Sequence, residues 1–412
     1  MSEVLLDSLY NCLLRKVRNM KIQSFKFSNN KQNWHIEEVK FENLNLLVGG
    51  SGVGKTRILK ALDLICDVAK GRNRNLDDLE WSINFSHLGQ NYRWELKSSS
   101  LKDEEIILNV NESEQTEIVY EKLVRYDDDY ELEIFLRNDS DSKFNNKDLP
   151  KFKRTESAIT LLSEEDLIIP VVEAFGRLIF NFETAQSQKY IFTVDADHRL
   201  TTVFNKLEEL YNKNILKRFN KKLFVQYYTG TPSVIKAFYL QKFFPEIFNE
   251  IKELYIDVFP EVKDVRVSRE RNPDVDFLLV FEIQENGLEN WIPQQQISSG
   301  MFRTLIFLVE VTAAPEESVI LIDEFENSLG INCMSELTDF ILDKSPDVQF
   351  ILTSHHPYII NNIPWETWQI VSKYGNKVRV RKSLNIPELN TASSLDKFTQ
   401  LVNLLDSEEV FE

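Results

Sequence analysis

The chain has 412 residues, 42% of them hydrophobic, and its 48 Lys and Arg against 65 Asp and Glu give a formal net charge of −17. That length allows two or three lobes with their own cores, and the acidity argues against an indiscriminate nucleic-acid coat, which needs accumulated cations. No apolar run reaches the roughly twenty residues that cross a bilayer, and Met1-Ser2-Glu3-Val4 lacks the basic segment and apolar core of a secretory signal, so a cytoplasmic protein with no membrane partner is expected.

Residues 1–19 read as a short amphipathic helical extension, able to pack on its own head or on a neighbouring subunit. Strands are expected over 21–27, 35–41 and 44–48, the last an apolar run suited to a buried position. It leads into Gly49-Gly50-Ser51-Gly52-Val53-Gly54-Lys55-Thr56, which has the spacing of a phosphate-binding loop. A helix is expected over 57–70, with Ile58, Leu62, Ile65 and Ala69 on one face. Glycines let successive amide N–H groups turn inward onto phosphate oxygens, backed by the positive end of the helix. Lys55 is then placed to reach the terminal phosphates of ATP, and the Thr56 hydroxyl to ligate Mg²⁺.

Further strands are expected over 92–96, 106–110, 117–124 and 130–135, alternating apolar and charged residues as an antiparallel sheet with one wet face does. Gln90 stands in the region where a glutamine loop would join two lobes. Asp127-Asp128-Asp129 reads as a turn, with a carboxylate metal site as the alternative. The polar stretch 138–153 is the best boundary. Helical patterns follow from about 156 to 260, for example over 202–211 and 234–258, and strands return at 262–267 and 277–283. Two basic runs, Lys213, Lys217, Arg218, Lys221 and Lys222, and the strand-like 377–382, are either solvated faces or a local nucleic-acid groove. Cys12, Cys66 and Cys333 have no ligand-like spacing and read as buried free thiols.

The second half of the chain decides among P-loop classes. Ile297-Ser298-Ser299-Gly300-Met301-Phe302-Arg303 precedes a helical run, so Ser298 and the amides around Gly300 sit at a helix start, a second anion-binding element. The apolar strand 319–322 ends in Asp323-Glu324: Asp323 is placed to hold Mg²⁺ and Glu324 to polarise the attacking water. Phe325-Glu326-Asn327-Ser328-Leu329-Gly330 and a helix follow. Another buried strand, 348–353, then ends in Ser354-His355-His356-Pro357, where His355 can sense the γ-phosphate. After residue 382 the chain becomes irregular and closes on a short helix over 394–405.

Taken together, these motifs resemble the ABC-type ATPase heads of the SMC and RecF class. The resemblance is nearest the branch of overcoming-lysogenization-defect (OLD) ATPases and the ATPase subunits of anti-phage systems such as Septu and PARIS. It rests on residues 44–60 and 297–357. It implies an α/β P-loop NTPase fold of ABC head type, with a mixed central sheet, an antiparallel β subdomain and an inserted helical lobe. The division would be an extension (1–19), the N-terminal part of the head (20–150), the helical lobe (151–260), the C-terminal part of the head (261–382) and a tail (383–412).

The resemblance implies ATP and Mg²⁺ as cofactors, bound by the loop 49–56 and Asp323. It also implies catalysis by Glu324 with His355 as switch, and closure of Ser298 and Gly300 over ATP held by a second copy. Partners implied are a homodimer or larger homo-oligomer and a separate effector, a nuclease or toxin, because no TOPRIM-type nuclease fits in the 57 residues after His355. DNA binding of RecF type is the alternative. Ser299 and Met301 stand where transporter heads carry a glycine and a polar residue, which suits this branch better than a transporter.

Overall fold

A computed structural model of the chain describes residues 20–72, 75–100, 116–127, 130–150, 153–181, 192–193, 232–272, 275–315, 317–327, 329–390 and 393–406. The extension 1–19, the strand expected over 106–110, the helix over 202–211, the cluster Lys213 to Lys222, Asp128, Asp129, Ser328 and Cys12 lie outside them. In chain order come β1 (Lys21–Asn29), β2 (Trp34–Lys40), β3 (Leu44–Val48), α1 (Lys55–Ala69), β4 (Leu79–His87), β5 (Gln90–Ser100), β6 (Thr116–Tyr126), β7 (Glu131–Arg137), β8 (Ser142–Phe144) and β9 (Lys147–Asp148). Then follow α2 (Ala158–Leu161), α3 (Ile169–Gly176), β10 (Leu178–Asn181), β11 (Phe192–Thr193), α4 (Ser233–Phe243), α5 (Pro245–Val258), β12 (Val262–Asn272), β13 (Val275–Glu285), β14 (Ile292–Pro293) and α6 (Ser299–Ala313). The chain ends with β15 (Val319–Ile322), α7 (Ile331–Lys344), β16 (Gln349–Thr353), α8 (Pro357–Asn362), β17 (Trp368–Tyr374), β18 (Lys377–Lys382) and α9 (Ser394–Asp406).

These elements fall into two compact units, one of residues 1–180, 317–325 and 344–412, the other of 181–316 and 326–343. The first contains a mixed sheet in the order β10-β15-β16-β3-β17-β18-β2-β1-β4-β5-β6-β7-β8-β9. β15, β16, β3 and β17 are mutually parallel, and every residue of β3, β15 and β16 is buried, as strands covered on both faces require. From β1 through β4 to β9 the pairing is antiparallel throughout. In the second unit β11, β13 and β12 form a small antiparallel sheet, extended by β14 beside β13. The expected α/β fold with a mixed central sheet and an antiparallel region is present.

Two local expectations are corrected. The helical pattern read over 234–258 is two helices, because Pro245 cannot donate to the turn before it and instead opens α5, with Phe244 out of the helical region ahead of it (φ −136, ψ 61). The polar stretch 138–153 is not all loop: β8 and β9 form a small hairpin whose turn places Asn145 and Asn146 at φ 48 and 60, the left-handed region that Asn tolerates. Asp127 N–H donates to the Tyr130 carbonyl at 2.9 Å, where the antiparallel β6 and β7 meet. Cys66 and Cys333 are buried and free, as expected.

α3 docks on the antiparallel sheet through Phe175, edge-on to Phe85 and Trp94 at 5.1 and 5.5 Å. On the same sheet His87 is fully buried, with neither ring nitrogen hydrogen-bonded. Burial pushes the imidazole below its ordinary pKa and Arg177 adds to that, while Glu173 on α3, 3.9 Å away, pulls it back in part. The folded chain therefore resists a proton that the unfolded chain accepts near pH 6.5, so stability falls as pH drops through that value. The expected slope from this residue is up to about 1.4 kcal/mol per pH unit. Urea midpoints measured from pH 7 to 5.5 should fall more steeply for the native chain than for His87→Gln; equal slopes would assign the acid sensitivity elsewhere.

Candidate functional site

The phosphate loop leaves β3 at the sheet edge where the parallel strands end. Asn45, the polar residue within β3, is satisfied by Glu42 and the Phe350 carbonyl, so the strand can stay buried. Gly49 is required by contact: a methyl group there would overlap the Val371 carbonyl oxygen of β17. Gly54 has φ 114, and a side chain at it would press into Val378 of β18, 2.7 Å away. The curl therefore depends on both strands beside it. Lys55 opens α1, is buried, and donates from Nζ to the Gly49 and Gly50 carbonyls, both at 2.8 Å. Its ammonium thus sits across the mouth of the loop formed by Gly49, Gly50, Ser51, Gly52, Val53 and Gly54.

β15 delivers both acids, and its neighbour β16 delivers the hydroxyl that joins them. β15 ends at Asp323, whose Oδ1 accepts from the Thr56 hydroxyl at 3.2 Å and from the Thr353 hydroxyl, at the end of β16, at 2.7 Å. Thr353 Oγ1 also accepts from the Glu324 N–H at 2.7 Å, and its carbonyl accepts from Phe325 N–H at 2.9 Å. Glu324 is held at φ 47, a left-handed conformation costly for a residue with a Cβ, while its side chain is exposed. One hydroxyl, Thr353, thus joins Asp323 to the backbone of Glu324. The sequence placed Thr353 at a strand end but gave it no role; a β-branched hydroxyl closing a buried strand beside an acidic pair was the available signal.

Thr353→Val keeps the shape but removes both hydrogen bonds. Its expected effect is a loss of about a hundredfold in ATP turnover from misplacement of Glu324, with ATP binding little changed and Thr353→Ser close to the native chain. Turnover unchanged in Thr353→Val would show that the bridge does not position Glu324.

Beyond β16, Ser354 is buried and its Oγ accepts from His356 N–H at 3.1 Å. His356 caps α8, its Nδ1 accepting from Tyr358 N–H at 3.2 Å. His355 is the exposed histidine of the pair, at the same sheet edge as the loop. Gln90 is not at that edge. β1 and β4 are antiparallel, with Asn29 opposite Leu79 and Lys21 opposite Ser86, so the hairpin carrying Gln90 lies at the other end of the strands. The register removes it as the glutamine-loop residue.

In the second unit Ser298 caps α6, its Oγ accepting from Met301 N–H at 3.3 Å, and it remains exposed beside the half-buried Gly300. The basic strand β18 is largely compensated: Arg379 pairs with Glu37 at 3.0 Å, which raises its pKa, and Lys382 pairs with Glu42. That favours the solvated-face reading of 377–382. No described helix is long and apolar enough to cross a membrane.

A glycine loop at the end of β3, a bridging hydroxyl at the end of β16 and an Asp-Glu pair at the end of β15 define a P-loop ATPase. The chain belongs to the family described as "AAA domain, putative AbiEii toxin, Type IV TA system", whose model matches residues 44–361. No curated protein matches the chain. Among solved structures it is similar to the SmcHead bound to the C-winged helix domain of ScpA, at 13% identity and a TM-score of 0.46 over 87% of this chain and 96% of that one. It is also similar to an Smc head domain with an extended coiled coil, bound to the C-terminal domain of ScpA derived from Pyrococcus furiosus, at 14% identity and a TM-score of 0.46 over 94% and 100% of the two chains.

Proposed function

We propose that this chain is a cytoplasmic ABC-type ATPase that binds ATP through residues 49–56, dimerises around it, and regulates a separate nuclease or toxin in anti-phage defence. The observation that carries the ATPase reading is the joined set Thr56, Asp323, Thr353 and Glu324. Thr56 and Asp323 offer a hydroxyl and a carboxylate 3.2 Å apart, hard oxygen donors of the kind Mg²⁺ takes. Bound there, Mg²⁺ would supply charge neutralisation at the β- and γ-phosphates. The Glu324 carboxylate accepts a proton from water as the water oxygen attacks the γ-phosphorus; the bond to the β–γ bridging oxygen breaks and ADP departs. Lys55 balances negative charge on the terminal phosphates, and His355 contacts the γ-phosphate from the end of β16.

Ser298 and Gly300, on an exposed helix start, close over ATP held by a second copy in this reading. The toxin-system description of the family supports a defence setting. The experiment is ATP binding and steady-state phosphate release by the purified chain with and without Mg²⁺, followed by co-purification of proteins encoded beside it. Magnesium-dependent turnover and a co-purifying nuclease or toxin support the proposal; absence of ATP binding removes it. A direct DNA clamp would instead show salt-dependent DNA binding weakened by charge reversal at Lys217 and Arg218.

A further inference from the structure

Two histidines stand side by side after β16, and the proposed chemistry uses only the first. The link from β16 to α8 is three residues long, Ser354, His355 and His356. Both of its anchors are firm. β16 is buried along its whole length and lies between two parallel strands, β15 and β3. α8 is set into the core by Ile359 and Ile360, and Ile363 just beyond it is buried, its carbonyl accepting from Trp368 Nε1 at 3.2 Å. A short link between fixed ends has few conformations, and its own hydrogen bonds choose among them.

Those bonds close around His355. Ser354 is buried, and its Oγ accepts from the His356 N–H at 3.1 Å, so a hydroxyl and an amide meet across the His355 backbone. This is a turn in which a serine side chain takes the place of a backbone acceptor. His356 then fastens the turn to the helix. It lies at φ −80 and ψ 123, the extended conformation that a residue before proline favours. Its Nδ1 accepts from the Tyr358 N–H at 3.2 Å, and Tyr358 is the second residue of α8, a donor that an N-cap side chain satisfies. The His356 carbonyl takes the Ile360 N–H at 3.1 Å, so ring and main chain both tie His356 to the first turn. His355 presents an exposed side chain from a backbone held on both sides.

We propose that His356 is a positioning residue: by capping α8 through Nδ1 it holds the turn from Ser354 to His356, and with it the direction in which His355 faces the γ-phosphate. The inference rests on the switch role of His355 in the proposed function and adds the residue that keeps the switch aimed. Its chemistry is the acceptor on the ring, not the ring itself. Asparagine, a preferred N-cap, offers an oxygen acceptor at the same place, whereas phenylalanine keeps a ring and offers none.

The test is turnover at saturating Mg-ATP, beside calorimetric Mg-ATP binding, for the native chain, His356→Phe, His356→Asn, Ser354→Ala, His355→Ala and the pair His355→Ala with His356→Phe. A lost cap lowers the population of the held turn by about fivefold. His356→Phe should lose about that factor in turnover with ATP binding unchanged, and His356→Asn should stay close to native. Once His355 is alanine, His356→Phe should cost nothing further, because it acts only through that side chain. Ser354→Ala removes the other bond of the turn and leaves the ring in place, so it reports the same loss if His356→Phe folds poorly. Native-like turnover in folded His356→Phe or, should that variant not fold, in Ser354→Ala would overturn the positioning role while leaving the switch in place. An equal loss in His356→Asn, or the same fivefold loss on the His355→Ala background, would overturn it likewise. Native turnover in His355→Ala would overturn the switch reading and the positioning role together.

Discussion

Glu324→Gln is expected to reduce ATP turnover by about a hundredfold to ten-thousandfold, the range for removing a general base, while ATP binding stays close to native. The separation follows from geometry. The Lys55 contacts, the loop glycines and the Thr56–Asp323 pair do not involve the Glu324 side chain. Glu324 contributes its backbone N–H to Thr353, which Gln retains, and the exposed carboxylate, which Gln lacks. Single-turnover phosphate release beside equilibrium ATP binding checks this. Equal release rates for the two chains would mean that another group activates the water.

Glu121→Ala is expected to destabilise the fold by roughly 3–5 kcal/mol, the cost of leaving a buried charge without its partner. Glu121 is fully buried, and its two carboxylate oxygens take four donors: Arg137 Nη2 at 2.5 Å, Ser157 Oγ at 2.5 Å, Ala158 N–H at 2.9 Å and Trp94 Nε1 at 3.1 Å. Arg137 spends its other bonds on the Lys153 and Glu156 carbonyls, both at 3.0 Å. Removing the carboxylate takes its anionic partner from a buried guanidinium and an acceptor from three further donors at once. Replacing both members, Glu121→Leu with Arg137→Met, should cost less than Glu121→Ala alone, because no isolated charge remains. Urea denaturation of the three variants decides; a double variant no more stable than the single would show that packing, not the charge, dominates. The segment the cluster pins continues to Thr160, whose hydroxyl donates to the Val68 carbonyl at the C-terminal end of α1, away from the phosphate loop.

The parts of the site carried by local sequence were readable in advance. An apolar run, a glycine loop and a helical face identify β3, the phosphate loop and α1, because each depends on residues adjacent in the chain. The strands ending in Asp323 and Thr353 were readable for the same reason, as continuous buried runs. Pairing between distant residues was not. Thr353 gains its role from Asp323 thirty residues away. Gln90 failed for the matching reason: its strand's direction in the sheet cannot be read from its own residues. The break at Pro245 was legible, and the apolar periodicity running across it hid it.

In the proposed dimer, the phosphate loop of one molecule is completed by the Ser298–Gly300 helix start of another. Its most direct measurement is the association state of Glu324→Gln by light scattering, with and without Mg-ATP, alone and combined with Ser298→Arg. Mass should double with Mg-ATP for Glu324→Gln and stay unchanged once Ser298→Arg is added. No change in mass on adding ATP, or doubling that persists with Ser298→Arg, would contradict the account.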